Sequence, residues 1–293
     1  MVSQKRFKRK EAKRVSLKVQ EERLLLDIER WEQTFFEHDP TDFEMMYQKW
    51  LNVSLDQLGT EKRSKVLDTI DNFLFHLHAM IQNSRFHEEA RERILDQAKV
   101  FDGEIEDIQD IRQLSIEKLN FMAKQQMAKQ RLLSLGQGGV SGMGGIVLLG
   151  IDLPAMIAIN MRAIQLIALS YGYDVKRPSE MMIALKVFHV ASLPKDLQGG
   201  AWDALWDEVH TADYDEWFYT GNEEIADISW IQQPLRQLVK VMVIMLLRKK
   251  LIQGVPLIGM AFGATMNYQF SRQVTEVAQR FYQKRLLLER NQS

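Results

Sequence analysis

The stretch from Leu135 to Val175 constrains the fold of this sequence more than any other part. Its sequence, LGQGGVSGMGGIVLLGIDLPAMIAINMRAIQLIALSYGYDV, joins a cluster of glycines to the longest apolar run in the chain. Each glycine costs roughly 1 kcal/mol relative to alanine inside a helix. Repeated glycines therefore indicate either turns with positive φ or a helix face that a second backbone can approach closely. The stretch predicts an apolar helical hairpin with very close backbone contact, buried in protein or touching lipid.

The second half of this stretch has the signals of a separate helix. Asp152 precedes a Leu-Pro pair, which predicts an N-cap followed by a proline in the first turn. The helix should run from about Leu153 to Ser170 and end at Gly172 as its C′ residue. Polar residues interrupt its apolar run, whereas a membrane-spanning helix needs roughly 20 consecutive apolar residues. A simple transmembrane span is therefore not predicted here.

A second glycine-bearing apolar element follows near the C-terminus. A turn at 254–256 precedes a helix that should begin near Leu257, with two glycines bare on one face. The simplest arrangement packs the elements at 138–170 and 255–270 on each other, glycine face against helix backbone. The residues expected to allow this close packing are Gly138, Gly142, Gly145, Gly259 and Gly263. The predicted fold class is all-α: a single large helical domain built round two glycine-rich apolar helical elements.

Two separated motifs in this chain resemble those of the EcsC family. The first is the glycine-rich segment followed by Asp-x-Pro at 152–154, an apolar helix that carries Arg162, and Tyr-Gly-Tyr-Asp at 171–174. The second lies in the closing helix and comprises Pro256, Gly259, Gly263-Ala264 and Asn267. The resemblance implies a helical fold and a bacterial origin but no established activity. The family takes its name from genes beside an ABC-transporter pair in bacilli, so the resemblance implies such a transporter as a partner.

Composition narrows the class of protein. The 293 residues can bury a large core, and a net charge of -1 argues against a nucleic-acid-binding protein. The absence of cysteine excludes disulfides and thiolate metal sites and fits a reducing cytosol. Residues 1–20 are basic but lack the apolar core of a secretory signal. A cytoplasmic location, peripheral to the inner face of the cell membrane, is therefore expected.

The N-terminal region, residues 1–37, is predicted to form a basic helix of its own. Residues 1–20 are rich in lysine and arginine and contain a single glutamate. This charge indicates either a solvated helix start or a patch for anionic lipid, where each basic residue contributes about 1 kcal/mol. An amphipathic helix should occupy Val15–Phe36. Residues 38–293 then form the EcsC-like helical domain, whose signature part is 135–293.

Between these parts, apolar periodicity predicts further helices. One long helix should run from about Ile105 to Leu135, and its expected buried residues are Ile105, Ile108, Ile111, Leu114, Leu119 and Met122. A shorter apolar helix is expected over Met181–Val190, stopped by Pro194. His76 and His78 lie in another predicted helix, but an i, i+2 pair points to different sides and does not form a metal site.

Residues 196–235 form an acidic-aromatic segment that contains no lysine or arginine. Three interpretations fit this composition. Its helices complete the fold with an acidic outer face, or its tryptophans and tyrosines form a docking surface, since these residues dominate binding energy at interfaces. The third interpretation is a weak site for a divalent cation, although no EF-hand spacing is present.

The sequence contains none of the common catalytic motifs, so no catalytic residue, metal or cofactor is predicted. Polar residues inside the apolar helices are the candidate ligand-binding residues: Asp152, Asn160, Arg162, Asn267 and Arg272. Buried charges need partners. These side chains therefore either pair with each other and cap helices, or line a pocket for a ligand or a lipid head group.

Three functions fit this pattern. The first is a non-enzymatic, membrane-associated helical protein that binds lipid or acts as an accessory factor of an ABC transporter. Its partner is an anionic membrane surface or an integral-membrane protein, and nucleic acid is not expected. The second is a hydrolase or small-molecule-binding protein with a polar pocket around Asp152, Arg162 and Asn267. The third is a soluble cytosolic scaffold, which differs from the first in lacking exposed apolar surface.

Overall fold

The computed structural model describes the backbone of residues 2–37, 84–141, 145–193, 195–211 and 256–292. Side chains are described for residues 18–37, 88–135, 156–177, 179–193, 195, 197–210 and 267–292. The α-helices in these ranges are α1 (Val2–Phe36), α2 (Ser84–Lys99), α3 (Ile116–Ser141), α4 (Gly145–Ser170), α5 (Pro178–Ser192), α6 (Lys195–Thr211) and α7 (Pro256–Gln292). A short 3-10 helix, Ile108–Gln113, lies between α2 and α3. The described ranges contain no strand and form one domain, so the predicted all-α, single-domain fold is confirmed.

The C-terminal helix α7 is the element on which most other helices pack. Near the start of α3, Gln283 donates a hydrogen bond to Asn120 over 2.7 Å. Further along α3, Arg131 donates to Thr275 over 2.8 Å, so α3 runs antiparallel to α7. Tyr171, which follows α4, also donates to Asn120, over 2.6 Å. The helix α4 therefore runs antiparallel to α3 and parallel to α7.

The helix α1 also runs antiparallel to α7, and this direction separates two ends of the bundle. Trp31 donates to Glu276 over 2.9 Å, and nearer the start of α1, Glu21 pairs with Arg290. The first turns of α1 therefore extend beyond the last residues of α7, at what we call the tail end. The end of α3, the start of α4 and the start of α7 lie together at the opposite end, the hairpin end. The helix α1 begins at Val2, so the basic segment is itself helical.

The helix α4 begins earlier than predicted. It starts at Gly145, so Asp152 and Pro154 lie inside the helix, and the prediction that Asp152 is an N-cap is wrong. A proline inside a helix removes one hydrogen bond, but the packing of an apolar helix within a bundle outweighs this local signal. The predicted end is confirmed, because α4 stops at Ser170 and Gly172 follows with a φ of 83°.

The long helix predicted from Ile105 to Leu135 is divided in two. Asp107 caps the 3-10 helix through a capping box with Asp110, and Leu114 is extended with a ψ of 151°. The helix α3 begins only after this break. The residues predicted to be buried are nevertheless all buried, namely Ile105, Ile108, Ile111, Leu114, Leu119 and Met122. The first four recur every third residue, which is the repeat of a 3-10 helix rather than an α-helix.

The glycines predicted to allow close packing belong to helices that meet at the hairpin end. Gly138 lies in α3 and Gly145 begins α4, while Gly259 and Gly263 lie in the first turns of α7. Gly142 lies outside the described residues. The surroundings of these glycines also fall outside the described side chains, so their close packing stays a prediction.

The Tyr-Gly-Tyr-Asp motif forms the turn that ends α4. The N–H of Gly172 donates to the carbonyl of Leu169 over 3.0 Å. The N–H of Tyr173 donates to the carbonyl of Ala168, also over 3.0 Å, which completes a Schellman motif. Gly172 has the positive φ that this motif requires, and a Cβ there would clash with the side chain of Arg112 in the 3-10 helix. Only glycine therefore fits this turn without displacing its neighbours.

Replacing Gly172 by alanine should destabilise the fold. A non-glycine residue in left-handed backbone costs about 1–2 kcal/mol, and the clash with Arg112 adds to this cost. Gly200→Ala in α6 is the matched control, because nothing lies within 4 Å of a Cβ added there. That substitution should stabilise the helix by up to about 1 kcal/mol. Urea unfolding followed by circular dichroism measures both free energies; a Gly172→Ala variant as stable as Gly200→Ala would contradict this account.

Candidate functional site

Two arginines from different elements enclose the ring of Tyr173. The guanidinium carbons of Arg112 and Arg285 each lie 4.2 Å from the ring centre. Arg285 also forms a two-pronged ion pair with Glu180, with N–O distances of 2.7 and 2.8 Å. Burial opposes the charge of Arg285, but Glu180 outweighs it and raises the pKa of the guanidinium. Burial raises the pKa of Tyr173 well above its ordinary value, so its hydroxyl stays protonated.

Two of the predicted ligand-binding residues are buried asparagines on parallel helices. Asn160 of α4 is fully buried and donates to the carbonyl of Met156 over 2.7 Å, while its Oδ1 has no hydrogen-bond partner. Asn267 of α7 is also buried. The rings of Tyr173 and Tyr282 lie 5.4 Å apart, and each asparagine precedes its tyrosine by about four turns. The helix register therefore places the two asparagines at a similar level of the bundle.

The predicted arginines face different parts of the bundle. Arg162 of α4 is half-buried, and Arg93 and Glu89 of α2 are its electrostatic neighbours. Burial, assisted by Arg93, lowers the pKa of Arg162. Arg272 is exposed on α7, beside α3. The side chain of Asp152 lies outside the described set, so a pocket shared by the predicted residues stays a prediction.

Three basic side chains from three helices lie near the middle of α7, where one carboxylate is an electrostatic neighbour of two of them. They are Arg131 of α3, Lys195 of α6 and Arg272 of α7, and the carboxylate is Glu276 of α7; we call this set the basic groove. Glu276 is an electrostatic neighbour of Arg131 and Lys195, and it accepts the indole N–H of Trp31. Arg272 is a further neighbour of Arg131. Burial lowers the pKa of Arg131 and of Lys195, and the attraction of Glu276 opposes this in both.

The cations of the basic groove contact neutral groups. Arg131 donates from Nε to the hydroxyl of Thr275 over 2.8 Å and from a terminal nitrogen to the carbonyl of Arg272 over 3.4 Å. The ammonium of Lys195 lies 3.3 Å from the ring centre of Phe35. Among the described residues, no ion pair closer than 4.0 Å involves any of the three cations. Their positive charge is therefore not locally neutralised within the described part of the chain.

Four exposed leucines lie in α3 and α6, the helices that carry Arg131 and Lys195. In α3, Leu132, Leu133 and Leu135 are 66%, 50% and 40% exposed. In α6, Leu197 is 50% exposed and lies two residues after Lys195 of the groove. We call these four leucines the leucine rim. Grouped large apolar side chains on a protein surface mark a contact with a partner or with lipid.

A separate cleft of about 510 Å³ lies between α1, α6 and α7. Trp202 and Trp206 line it together with Glu32 and Lys284. The ammonium of Lys284 bonds both carboxylate oxygens of Glu32, over 2.7 and 2.8 Å, and lies 5.0 Å from the ring centre of Trp206. Lys284 of the chain itself therefore occupies the position in which a bound cation would contact the ring of Trp206.

The described part of the acidic-aromatic segment helps to complete the fold. Trp202 and Trp206 of α6 are buried, and both rings pack against Phe281 of α7. These two tryptophans are therefore core residues rather than an exposed docking surface. Residues 212–235 of the segment lie outside the described residues.

Neither the basic groove nor the enclosure of Tyr173 was predicted from the sequence. The groove joins residues of three helices that are far apart in the chain, so no local spacing indicates it. One signal was available in α3, whose outer face carries Lys124 and Lys129 and then turns apolar at Leu132 and Leu133. An adjacent leucine pair on a charged helix face is the pattern that indicates a contact surface.

Replacing Glu180 by glutamine should destabilise the fold by about 3 kcal/mol, because it leaves the buried charge of Arg285 without its main partner. Asp27→Asn is the control, since Asp27 pairs with Arg30 on the exposed surface of α1. That change should cost less than about 1 kcal/mol. Chemical unfolding measures the free energy of unfolding of both variants. Equal losses would show that the buried Glu180–Arg285 pair stabilises the fold no more than the exposed Asp27–Arg30 pair does.

No helix in the described ranges combines the length and apolar character needed to cross a bilayer. The same ranges contain no group of three or more histidine, aspartate and glutamate side chains placed to hold a metal ion.

Comparison with known proteins finds relatives in Bacillus subtilis (strain 168). The protein named Uncharacterized protein YdbA is 27% identical over 272 residues, which cover 91% of this chain and 92% of that protein. Protein EcsC is 28% identical over 182 residues, which cover 61% of this chain and 69% of that protein. No solved structure matches the chain at a significant level. The model of the EcsC protein family matches residues 22–287, which include both sequence motifs and nearly all of the described core, and the chain therefore belongs to the EcsC protein family.

Proposed function

We propose that this protein is a non-enzymatic, peripheral membrane protein that binds an anionic lipid surface through the exposed leucines of α3 and α6. The observation that carries the proposal is the leucine rim, whose four leucines are 40–66% exposed and lie in the same two helices as Arg131 and Lys195. Apolar side chains enter the boundary between head groups and acyl chains, while neighbouring cations attract anionic lipid. The leucine rim and the basic groove together have both properties.

The outer face of α3 also has the properties of a membrane interface. Phe121 is 57% exposed, and Lys124 and Lys129 are exposed between it and the leucine rim. Lysine side chains place their apolar stems along an apolar surface and keep the ammonium group among lipid head groups. The exposed side of α3 therefore suits a membrane interface along several turns.

The basic N-terminal part of α1 lies far from the leucine rim, at the tail end. Between residues 272 and 290, α7 alone extends about 27 Å, at 1.5 Å per residue. Electrostatic attraction between exposed charges is screened over about 8 Å at physiological salt. The proposal therefore rests on the leucine rim and the basic groove and not on this basic segment.

An integral-membrane protein is the second candidate partner, and the family resemblance implies an ABC transporter. The leucine rim is the surface that such a partner would contact. The two candidates differ in one observable respect, because protein-free vesicles suffice only if lipid itself is the partner.

The double substitution Leu132→Gln and Leu133→Gln should weaken binding to anionic vesicles about tenfold, because two partly buried leucines each contribute about 1 kcal/mol or less at the interface. Co-sedimentation at low salt measures the bound fraction. Leu26→Gln is the control, since Leu26 is 52% exposed but lies in α1, away from the exposed face of α3. It should leave binding unchanged. A wild-type protein that stays wholly in the supernatant would overturn the lipid proposal and favour the integral-membrane partner.

A further inference from the structure

The cleft between α1, α6 and α7 combines aromatic rings with carboxylates in one lining. One face of α6 supplies most of it, because the lining residues at 199, 202, 203, 206, 207 and 210 recur at the spacing of a single helix face. Phe36 and Glu32 of α1 and Lys284 of α7 line the other sides. The volume of about 510 Å³ lies within the range of small-molecule sites, roughly 300–1,000 Å³.

Lys284 indicates which chemical group this lining accepts. Its ammonium bonds both carboxylate oxygens of Glu32, and Glu32 also accepts the indole N–H of Trp202 over 3.0 Å. The same ammonium lies 5.0 Å from the ring centre of Trp206, within the range of a cation–π contact. The lining therefore already holds one alkylammonium group between a carboxylate and an indole, and this pair balances the charge of Glu32.

Asp203 and Asp207 add two further carboxylates to the lining, and both residues are exposed. Of the residues that line the cleft, three carry a carboxylate and one carries an ammonium group. Because the two aspartates are four residues apart on α6, their Cβ atoms are about 5–6 Å apart. A cleft lined by an excess of one charge attracts ligands of the opposite charge. The lining therefore favours a cation with two charges at a similar separation.

We propose that this cleft binds a short aliphatic diamine, with its two ammonium groups at Asp203 and Asp207 and its methylene chain along Phe36. This inference goes beyond the proposed membrane-binding function, since the lining of the cleft contains no residue of the leucine rim. Phe36 is half-buried, so part of its surface is available to a ligand. Alkyl chains that end in ammonium groups place their methylenes along apolar surface and keep the charge near water and carboxylates.

An organic cation suits this lining better than a metal ion does. Magnesium keeps several of its water molecules and takes oxygen ligands, so the aromatic rings of the cleft contribute nothing to its binding. The part of the chain that the structure describes contains no group of three or more histidine, aspartate and glutamate side chains placed to hold a metal. The rings therefore add to the binding of a diamine alone.

Titration calorimetry of the full-length protein at low salt with three probes tests the ligand class. Putrescine is the diamine, n-butylamine has the same alkyl chain with one ammonium group, and magnesium chloride supplies the same charge without an alkyl chain. Putrescine should bind at least about tenfold more tightly than either, because each of the others lacks one of the two interactions. Equal affinity for magnesium would overturn the assignment to an organic cation.

The n-butylamine titration also separates a free diamine from a lysine side chain of a partner protein, because both n-butylamine and lysine present a single ammonium group on an alkyl chain. Equal affinity for n-butylamine and putrescine would overturn the assignment to a diamine.

The double substitution Asp203→Asn and Asp207→Asn should weaken putrescine binding at least about tenfold, since it removes both proposed counter-charges. Glu92→Gln combined with Asp96→Asn is the matched control, because these two carboxylates are also exposed and four residues apart, but on α2 and outside the cleft. The control should bind putrescine as the wild type does. An unchanged affinity of the Asp203 and Asp207 variant, or an equal loss in the control, overturns the inference.

Filling the cleft tests its location without removing a charge. Gly199 lines the cleft, and a Cβ added there would lie 3.6 Å from the Cβ of Phe36, which is an ordinary contact. Gly199→Leu should therefore fold and weaken putrescine binding at least about tenfold, because its side chain takes the space of the methylene chain. Gly200→Leu is the control, since nothing lies within 4 Å of a Cβ at Gly200 and this residue is outside the lining.

Equal affinities of the Gly199→Leu and Gly200→Leu variants would overturn the location, and a wild-type protein that does not bind putrescine would overturn the whole inference. Neither result bears on the proposed membrane function, which the vesicle experiment with the Leu132 and Leu133 variant decides separately.

Discussion

The polar contacts that hold α7 in register with its neighbours are the constraint on which the arrangement of this bundle depends. Apolar burial drives the helices together but is non-directional, so it does not by itself prevent one helix from sliding along another. The bonds from Gln283 to Asn120 and from Arg131 to Thr275 are directional and link α3 to α7 at two levels. The Glu180–Arg285 pair does the same between α5 and α7. Slipping by one turn would break all of them.

This register gives the tail end and the middle of the bundle different electrostatics. Toward the tail end, Arg285 and Arg290 pair with the carboxylates of Glu180 and Glu21, so their charges are balanced inside the protein. Near the middle of α7, the basic groove has one carboxylate for three cations among the residues that the structure describes. A balanced pair stabilises the fold and leaves little for a ligand to gain, whereas an unbalanced cluster is stabilised when an anion binds. The membrane-binding proposal follows from this difference together with the exposed leucines.

Local signals predicted the parts of the fold that depend on a few neighbouring residues. Gly172 ends α4 as expected, because the positive φ of a Schellman motif is nearly confined to glycine. The buried isoleucines at 105, 108 and 111 were found from their spacing, although that spacing belongs to a 3-10 helix. The prediction failed at Asp152 and Pro154, where cap signals occur inside a continuous helix. Tertiary packing overrides such signals, since it supplies most of a helix's stability.

The sequence by itself determined the all-α class, the apolar faces that become buried and the turn at Gly172, because each follows from the periodicity or conformational limits of adjacent residues. Only the tertiary structure decided which polar residues meet. Arg131 and Lys195 lie in α3 and α6, and both have Glu276 of α7 as an electrostatic neighbour because of the direction and register of those helices rather than any spacing in the chain. Among the predicted ligand-binding residues, Arg162 faces α2 and Arg272 lies beside α3 for the same reason. Residues distant in sequence come together only when long-range packing sets the register of the helices that carry them.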